Sequence, residues 1–233
     1  KEPERRKERA INIAKSMAFE IRSLDINTSG AVWEISPDGK TLIQPLTSVK
    51  GLGEAAIAQI INNRPFQVIE DFLFNEDITY SKLNKKALDV LIRSGTMDTL
   101  IDQRFTGAKH FWSAVAVDRP RKPKNLDENI ELYAAEGEFT EEEKIQYLVD
   151  LTGVFPFNLV MSEYVRESLE KRFVPPISEF DTDLQLAWFI PRKVTSRKTK
   201  NGKDYWIVEV VDDSSNSTSI KCWGVRPGRD VVH

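Results

Sequence analysis

Apolar residues recur three or four positions apart over most of the chain up to residue 172, which is the spacing of one helix face. One acidic helix is expected to begin at Thr140, because Thr140 followed by Glu143 has the spacing of a capping box. The apolar pattern predicts helices over residues 4–23, 54–61, 82–93 and 159–172, with an apolar core patch over 66–74.

Two other parts of the chain alternate apolar and polar residues, as strands do. Residues 31–35 and 41–44 flank the turn-forming sequence 36–40 and predict a small hairpin. Beyond residue 183, β-rich runs with turn sequences between them, Asn201-Gly202 being the sharper hairpin signal, predict three strands of a meander, over 184–194, 204–211 and 218–223. The predicted fold class is therefore α+β and multidomain, with a mainly helical part before the sheet.

The most informative motif is a hairpin with two glycines one residue apart, directly before a predicted helix. Glycine accepts positive φ and has no Cβ, so the turn can bring its backbone N–H groups close to an anion. The helix start adds unpaired N–H donors and the positive end of the helix dipole. The alternative is a tight turn without a ligand. We interpret the motif as a helix-hairpin-helix unit that binds a nucleic-acid backbone phosphate without reading sequence, through Lys50, Gly51, Leu52, Gly53, Glu54 and Ala55.

A second glycine-containing turn, residues 94–98, closes the helix predicted over 82–93. We interpret Gly95 as a helix C-cap rather than as a second phosphate contact. The two helical hairpins are expected to pack as a four-helix module over residues 46–105. The basic run 118–124, which prolines interrupt, is expected to be an exposed linker that can also contact DNA.

Composition and charge restrict the function classes. The chain has 233 residues, 40% of them apolar, and a formal net charge of −3. It contains no apolar run long enough to span a membrane, and its single cysteine, Cys222, fits a reducing compartment. The two histidines, His110 and His233, lie in no recognisable catalytic motif. Acidic residues are concentrated in 125–183, between two mildly basic regions, so the net charge does not argue against nucleic-acid binding.

The predicted meander mixes cations with aromatic residues, a composition that suits stacking of single-stranded bases and neutralisation of phosphates. Alternation places Tyr205 and Trp206 on opposite faces, so at most one of them can lie on a given binding face. The candidate single-strand-binding residues are Lys193, Arg197, Lys198, Lys200, Tyr205, Trp206, Lys221 and Trp223.

With these residues identified, the chain resembles the C-terminal half of a bacterial replicative DNA polymerase III alpha subunit, family C, including phage-borne relatives. The resemblance is collinear over nearly the whole chain and weakest over 101–135. It rests on Asp25-Ile26-Asn27, similar to the end of the fingers, on the hairpin 49–53 followed by Pro65-Phe66, on 83–98, on 151–155, and on 194–203, which resembles the entrance of an OB domain.

The resemblance implies a domain order: the end of the fingers over 1–30, the β-hairpin and tandem helix-hairpin-helix module over 31–105, a linker with the acidic helical segment over 106–183, and the first strands of an OB-fold over 184–233. An OB-fold uses five strands, so three predict an incomplete barrel. Nothing resembles the catalytic palm, so we expect a fragment without catalytic residues, metal ligands or cofactors, and Mg²⁺ only in the absent palm. Asp212-Asp213 resembles an acidic turn between OB strands rather than a metal site.

The partners that the resemblance implies are duplex and single-stranded DNA, the remaining polymerase domains, and a sliding clamp or other replisome proteins, in the bacterial cytoplasm or a phage-infected cell. Two alternatives stay open. One is a nuclease or repair enzyme, since helix-hairpin-helix units occur in those as well, although the acidic cluster or lysine nucleophile that this requires is not visible. The other is a protein-interaction scaffold, in which the acidic block 125–183 docks a partner and the strand aromatics are core residues.

Overall fold

The computed structural model describes residue 10 and residues 20–181, 186–212 and 217–224. The chain divides into two compact units, one formed by residues 18–156 and one that contains the residues from 157 onward. Helices dominate the first unit, and each unit contains a three-stranded sheet. The predicted α+β class, with a helical part before a β part, is therefore confirmed.

The first sheet joins three short strands in the order β1, β3, β2: β1 is Glu20–Arg22, β2 is Glu34–Ile35 and β3 is Thr41–Ile43. The predicted hairpin is confirmed, because β2 and β3 pair antiparallel. The helix predicted over 4–23 is wrong at its end, because residues 20–22 form β1, which pairs in parallel with β3. Apart from residue 10, residues 4–19 of that prediction lie outside the described residues. Pairing with a distant strand outweighed the local helical pattern.

Five α-helices follow the first sheet up to residue 133. The helix predicted over 54–61 is confirmed and ends two residues later, at Asn63. The helix predicted from residue 82 begins at Lys85 instead, because the side chain of Asn84 caps it by accepting from the Ala87 N–H (3.1 Å). The helices are α1 (Glu54–Asn63), α2 (Ile69–Leu73), α3 (Lys85–Arg93), α4 (Ala108–Trp112, continued as a π-helical segment over Ser113–Val117) and α5 (Pro123–Tyr133).

The predicted linker 118–124 is only partly a connection. Its last two residues start α5, with Pro123 at the first helical position, where the missing N–H costs nothing. The side chain of Asn129 in α5 donates to the carbonyl oxygens of Ala114 (2.9 Å) and Asp118 (2.5 Å), which fastens the helix to the preceding segment. Helix α5 itself was not predicted from the sequence.

A single apolar core extends from Leu24 to Leu126 and fixes the helices of the first unit. Its largest fully buried side chains include Phe66, Phe72 and Phe111. The first two belong to the predicted core patch and meet edge to face, with ring centroids 5.3 Å apart. Helix α6 (Glu141–Thr152) closes the unit and starts at the predicted capping box, in which Thr140 and Glu143 exchange hydrogen bonds of 2.9 and 3.2 Å.

The unit that contains residue 157 onward begins with two short helices instead of the single one predicted over 159–172. Helices α7 (Phe157–Val160) and α8 (Glu163–Lys171) are separated because Ser162 caps the second one by accepting from the Val165 N–H (3.3 Å). The predicted meander is confirmed as an antiparallel sheet of β4 (Ile190–Lys198), β5 (Asp204–Val211) and β6 (Ser217–Trp223). Strand β4 starts later and ends later than predicted. The three strands are consistent with the beginning of an OB-like domain.

Candidate nucleic-acid interface

The hairpin before α1 is held by its backbone. The N–H of Leu52 donates to Val49 O (3.2 Å), and the N–H of Lys50 donates to Leu151 O (2.7 Å) near the end of α6. Gly51 has φ +91°, a conformation that residues with a Cβ rarely adopt. The side chain of Leu52 is buried, so this residue anchors the hairpin in the core, while Lys50 and Gly51 remain exposed. The turn is thus fixed from two sides and faces solvent at its tip.

Four backbone N–H groups of the hairpin are available to a ligand. Those of Gly51, Gly53, Glu54 and Ala55 donate no hydrogen bond to any residue that the structure describes, and all four residues are exposed. Gly53 is the N-cap of α1 and has no side chain that could satisfy the first helical N–H groups. The next two, of residues 56 and 57, donate to Gly53 O (3.0 and 3.1 Å). Of the predicted backbone donors, those of Gly51, Gly53, Glu54 and Ala55 are therefore exposed together, whereas the N–H of the buried Leu52 donates within the hairpin.

Charges of both signs surround these donors. Lys50 is exposed next to Gly51, and Glu54 places one carboxylate in the first turn of α1. A second cation comes from α3: a Cβ placed on Gly51 would lie 3.8 Å from Lys86 Cε. Sequence reasoning missed Lys86, because it is 35 positions from Gly51 and only the packing of α3 brings them together. The pair Lys85-Lys86 at a helix start was the available signal.

The turn around Gly95 has no comparable donors. The N–H of Gly95 donates to Ile92 O (2.9 Å) and that of Thr96 to Leu91 O (3.0 Å), which is the hydrogen-bond pattern of a Schellman C-cap. Gly95 has φ +74°, and a Cβ there would lie 3.1 Å from a carboxylate oxygen of Asp98. The prediction that Gly95 is a helix C-cap is confirmed. The Asp98 carboxylate therefore lies on the side from which a phosphate would have to approach Gly95.

Asp98 has an unusual protonation equilibrium. Desolvation by the surrounding protein and, to a smaller extent, the negative charge of Glu138 raise its pKa to about 6, and Lys144 opposes the increase. Part of the residue is still exposed to solvent. At neutral pH the carboxylate is mostly ionised, so it repels an anion at the Gly95 turn.

The register of the meander divides the candidate single-strand-binding residues between its two faces. Trp206 is opposite Ser196 and Cys222, on the face that carries the buried Val208 and Val210, and Lys198 belongs to that same face. Lys200 lies in the turn between β4 and β5. The opposite face, here called the open face, carries the remaining five candidates, Lys193, Arg197, Tyr205, Lys221 and Trp223.

Stacked aromatic rings and cations share the open face. The rings of Tyr205 and Trp223 are 4.8 Å apart at 21°, and Trp223 remains 61% exposed. Arg197 is directly opposite Tyr205 on β4. Glu209, which lies opposite Lys193, adds a negative charge to this face. A partly exposed aromatic pair with cations on both neighbouring strands can stack bases and bind phosphates.

Other groups that the sequence singled out have structural partners. The buried ring of His110 accepts at Nδ1 from the Thr106 N–H (2.9 Å), and its Nε2 bonds to Ile130 O (2.8 Å). The buried Asp212 accepts from the Ser178 N–H (2.7 Å), whereas Asp213 lies outside the described residues. Within the part of the chain that the structure describes, no three His, Cys, Asp or Glu side chains are placed to hold a metal ion.

Comparison with known proteins agrees with this geometry. Residues 18–106 match the family model of a helix-hairpin-helix motif. The DNA polymerase III alpha subunit of Pseudomonas fluorescens is 32% identical over 93 residues, which are 39% of this chain and 8% of that protein. The chain resembles a C-terminal region of DNA polymerase III alpha.

Two further alpha subunits support this relationship. The subunit of Pseudomonas aeruginosa is 28% identical over 113 residues, 47% of this chain and 9% of that protein. The subunit of Helicobacter pylori strain 26695 is 25% identical over 198 residues, 74% of this chain and 16% of that protein. The chain thus spans a small part of the length of these relatives. Among the described residues, no helix is both long and apolar enough to cross a bilayer.

Proposed function

We propose that the hairpin before α1 binds the sugar-phosphate backbone of duplex DNA, as part of a DNA polymerase III alpha-like protein in the bacterial cytoplasm. The observation that carries this proposal is the set of exposed N–H groups of Gly51, Gly53, Glu54 and Ala55, which have no acceptor in the described part of the chain. The helix-hairpin-helix match over the same residues supports it.

The geometry explains how a phosphate would be held. Two of the four N–H groups, those of Glu54 and Ala55, point along α1 and carry the positive end of its dipole. The other two come from the turn, where Gly51 has a positive φ and both glycines are exposed. Lys50 adds a full positive charge. None of these groups recognises a base edge, so binding is independent of sequence.

We propose a second contact, in which the open face of the meander binds single-stranded DNA in the manner of an OB-fold. The half-buried Tyr205 and the exposed Trp223 would stack on bases, while Arg197 and Lys221 neutralise phosphates. In a polymerase, this arrangement would hold duplex and template strand with separate parts of the chain. The remaining polymerase domains, and a sliding clamp or another replisome protein, are the partners that this role requires.

A salt-titrated binding assay with duplex, primer-template and single-stranded DNA tests both contacts. Lys50→Ala should weaken duplex binding equally on all sequences and reduce the slope of log K against log salt by about 0.9. Lys109→Ala is the control, because this lysine faces Glu136 at 3.9 Å. A loss that depends on base sequence, or a slope unchanged from the parent protein, contradicts the hairpin contact.

The meander offers a matched pair of lysines for the single-strand contact. Lys221 lies on the open face, whereas Lys198 lies on the opposite face near Asp204 (4.0 Å). We expect Lys221→Ala, but not Lys198→Ala, to weaken single-stranded DNA binding. Equal effects of the two substitutions would show that the open face is not the binding face.

A further inference from the structure

A cluster of cations surrounds the start of α3, and the contacts proposed above do not use it. Two chain segments form it, one just before and within the first turn of α3 and one between α4 and the first residue of α5. All its members are exposed except Arg119, which is half-buried, and none forms a salt bridge with another residue that the structure describes. This α3 patch consists of Lys82, Lys85, Lys86, Arg119, Arg121 and Lys122.

Arg119 holds the two segments of the α3 patch together. Its guanidinium Nη1 donates to the carbonyl oxygen of Leu83, and the guanidinium lies over the ring of Tyr80, 4.4 Å from the centroid. Arg119 is therefore a positioning residue that places the segment 119–122 beside the start of α3. Tyr80 remains about half exposed, so the site is at the surface.

The α3 patch is continuous with the hairpin. Lys86 is the link, because a Cβ on Gly51 would be in van der Waals contact with Lys86 Cε at 3.8 Å. Leu83, to which Arg119 donates, precedes Lys86 by only three residues along the chain. Cations thus extend from the phosphate donors of the hairpin to Arg119 and the residues that follow it.

We propose that the α3 patch binds further backbone phosphates of the duplex held by the hairpin. This inference rests on the proposed function of the hairpin. Duplex DNA carries one negative charge per about 1.7 Å of helix axis, so a cationic surface that continues beyond one bound phosphate meets further phosphates. An acidic protein segment is the rival ligand. We favour DNA because the patch adjoins N–H donors arranged for a phosphate and needs no separate site.

Single substitutions in the α3 patch test the proposal. Lys86→Ala and Lys122→Ala remove exposed lysines with no salt bridge to a described residue, and the Lys122 side chain does not cap α5, so we expect the melting temperature to stay unchanged. Arg119 is left intact because it holds the patch together. Binding of a labelled duplex is measured against salt for these variants, Lys50→Ala and the control Lys109→Ala, with poly-glutamate as a second probe.

If the α3 patch binds DNA, the slope of log K against log salt should fall by about 0.9 for each of Lys86→Ala and Lys122→Ala, as for Lys50→Ala. The slope should stay constant for Lys109→Ala. If only Lys50→Ala changes the slope, the α3 patch does not bind DNA, although the hairpin does. If patch variants lose poly-glutamate binding and keep the parent affinity for the duplex, the ligand is an acidic protein and the proposal is wrong. If the parent protein does not bind the duplex at low salt, the proposed function itself fails.

Discussion

The side chain of Asn27 pairs with the backbone of Phe66, as a strand neighbour would. Its Nδ2 donates to Phe66 O and its Oδ1 accepts from the Phe66 N–H, both at 2.8 Å. The adjacent Ile26 N–H donates to Thr96 O (2.8 Å), near the end of α3. A short segment before the first sheet hairpin thereby ties the start of the buried aromatic patch to the Gly95 turn.

Asn27→Ala should lower the free energy of unfolding by about 2 kcal/mol, because it removes two hydrogen bonds and leaves backbone groups of the buried Phe66 without partners. Urea unfolding of the full chain measures the change. Asn125→Ala is the control, since that exposed side chain makes one long hydrogen bond (3.4 Å) to Glu128. Equal destabilisation by the two substitutions would contradict the pairing.

Gly51→Ala and Gly95→Ala form a matched pair with different consequences. Both glycines have positive φ, +91° and +74°, so each substitution should cost about 1–2 kcal/mol of stability. Only Gly51 belongs to the exposed donors, and we expect duplex affinity to fall for Gly51→Ala alone. Thermal unfolding and duplex titration below the melting temperature measure the two effects. Equal affinity losses would mean that the Gly95 turn also contacts DNA.

Gly53→Ser should separate stability from binding. Gly53 has φ −81°, and a Cβ would meet nothing within 4 Å, so serine fits without strain. A serine hydroxyl at the N-cap would accept from the N–H of the second or third helical residue and add a few tenths of a kcal/mol to stability. The hydroxyl would also compete with a phosphate for Ala55 N–H. A raised melting temperature with unchanged duplex affinity would show that the helix start is not the phosphate site.

Glu54→Gln should strengthen duplex binding. The Glu54 carboxylate is the acidic group in the first turn of α1, so it repels a phosphate at the neighbouring N–H groups. Because the side chain is exposed and screened by salt, we expect about a twofold to fivefold gain in affinity at low salt. The gain should disappear as salt is added. Glu142→Gln, in the first turn of α6, provides the comparison for a general change in net charge.

Asp98 should make stability depend on pH. Its folded-state pKa is raised to about 6, above the ordinary carboxyl value, so the folded protein binds this proton more tightly than the unfolded chain does. The resulting stabilisation is present below pH about 4 and is lost as pH rises through 6. Asp98→Asn should therefore reduce the change of the melting temperature between pH 4 and 7. The effect should be modest because solvent reaches the residue.

Asp102 should affect the pH dependence of stability in the opposite direction. Hydrogen bonds from Arg104 lower its pKa, so its stabilisation is present at neutral pH and is lost on acidification. Asp102→Asn should reduce the loss of stability in acid. A pH profile of Asp98→Asn that matches the profile of Asp102→Asn would contradict the raised pKa of Asp98.

Much of the local structure could be predicted from the sequence. The capping box at Thr140, the C-cap at Gly95 and the paired glycines before α1 depend on the φ preferences and hydrogen bonds of residues a few positions apart. Strand β5 was predicted with both ends correct, because alternation and the flanking turns mark it clearly. The break between α7 and α8 was missed, although Ser162 was a visible capping signal.

The sequence by itself determined the helix-hairpin-helix unit, the mainly helical part before the meander, and the division of Tyr205 and Trp206 between two faces. Only the tertiary structure decided that residues 20–22 pair with β3, that Val208 and Val210 are buried, and that Lys86 lies beside Gly51. Local conformation depends on near neighbours along the chain. Which distant segments meet depends instead on how the whole core is filled.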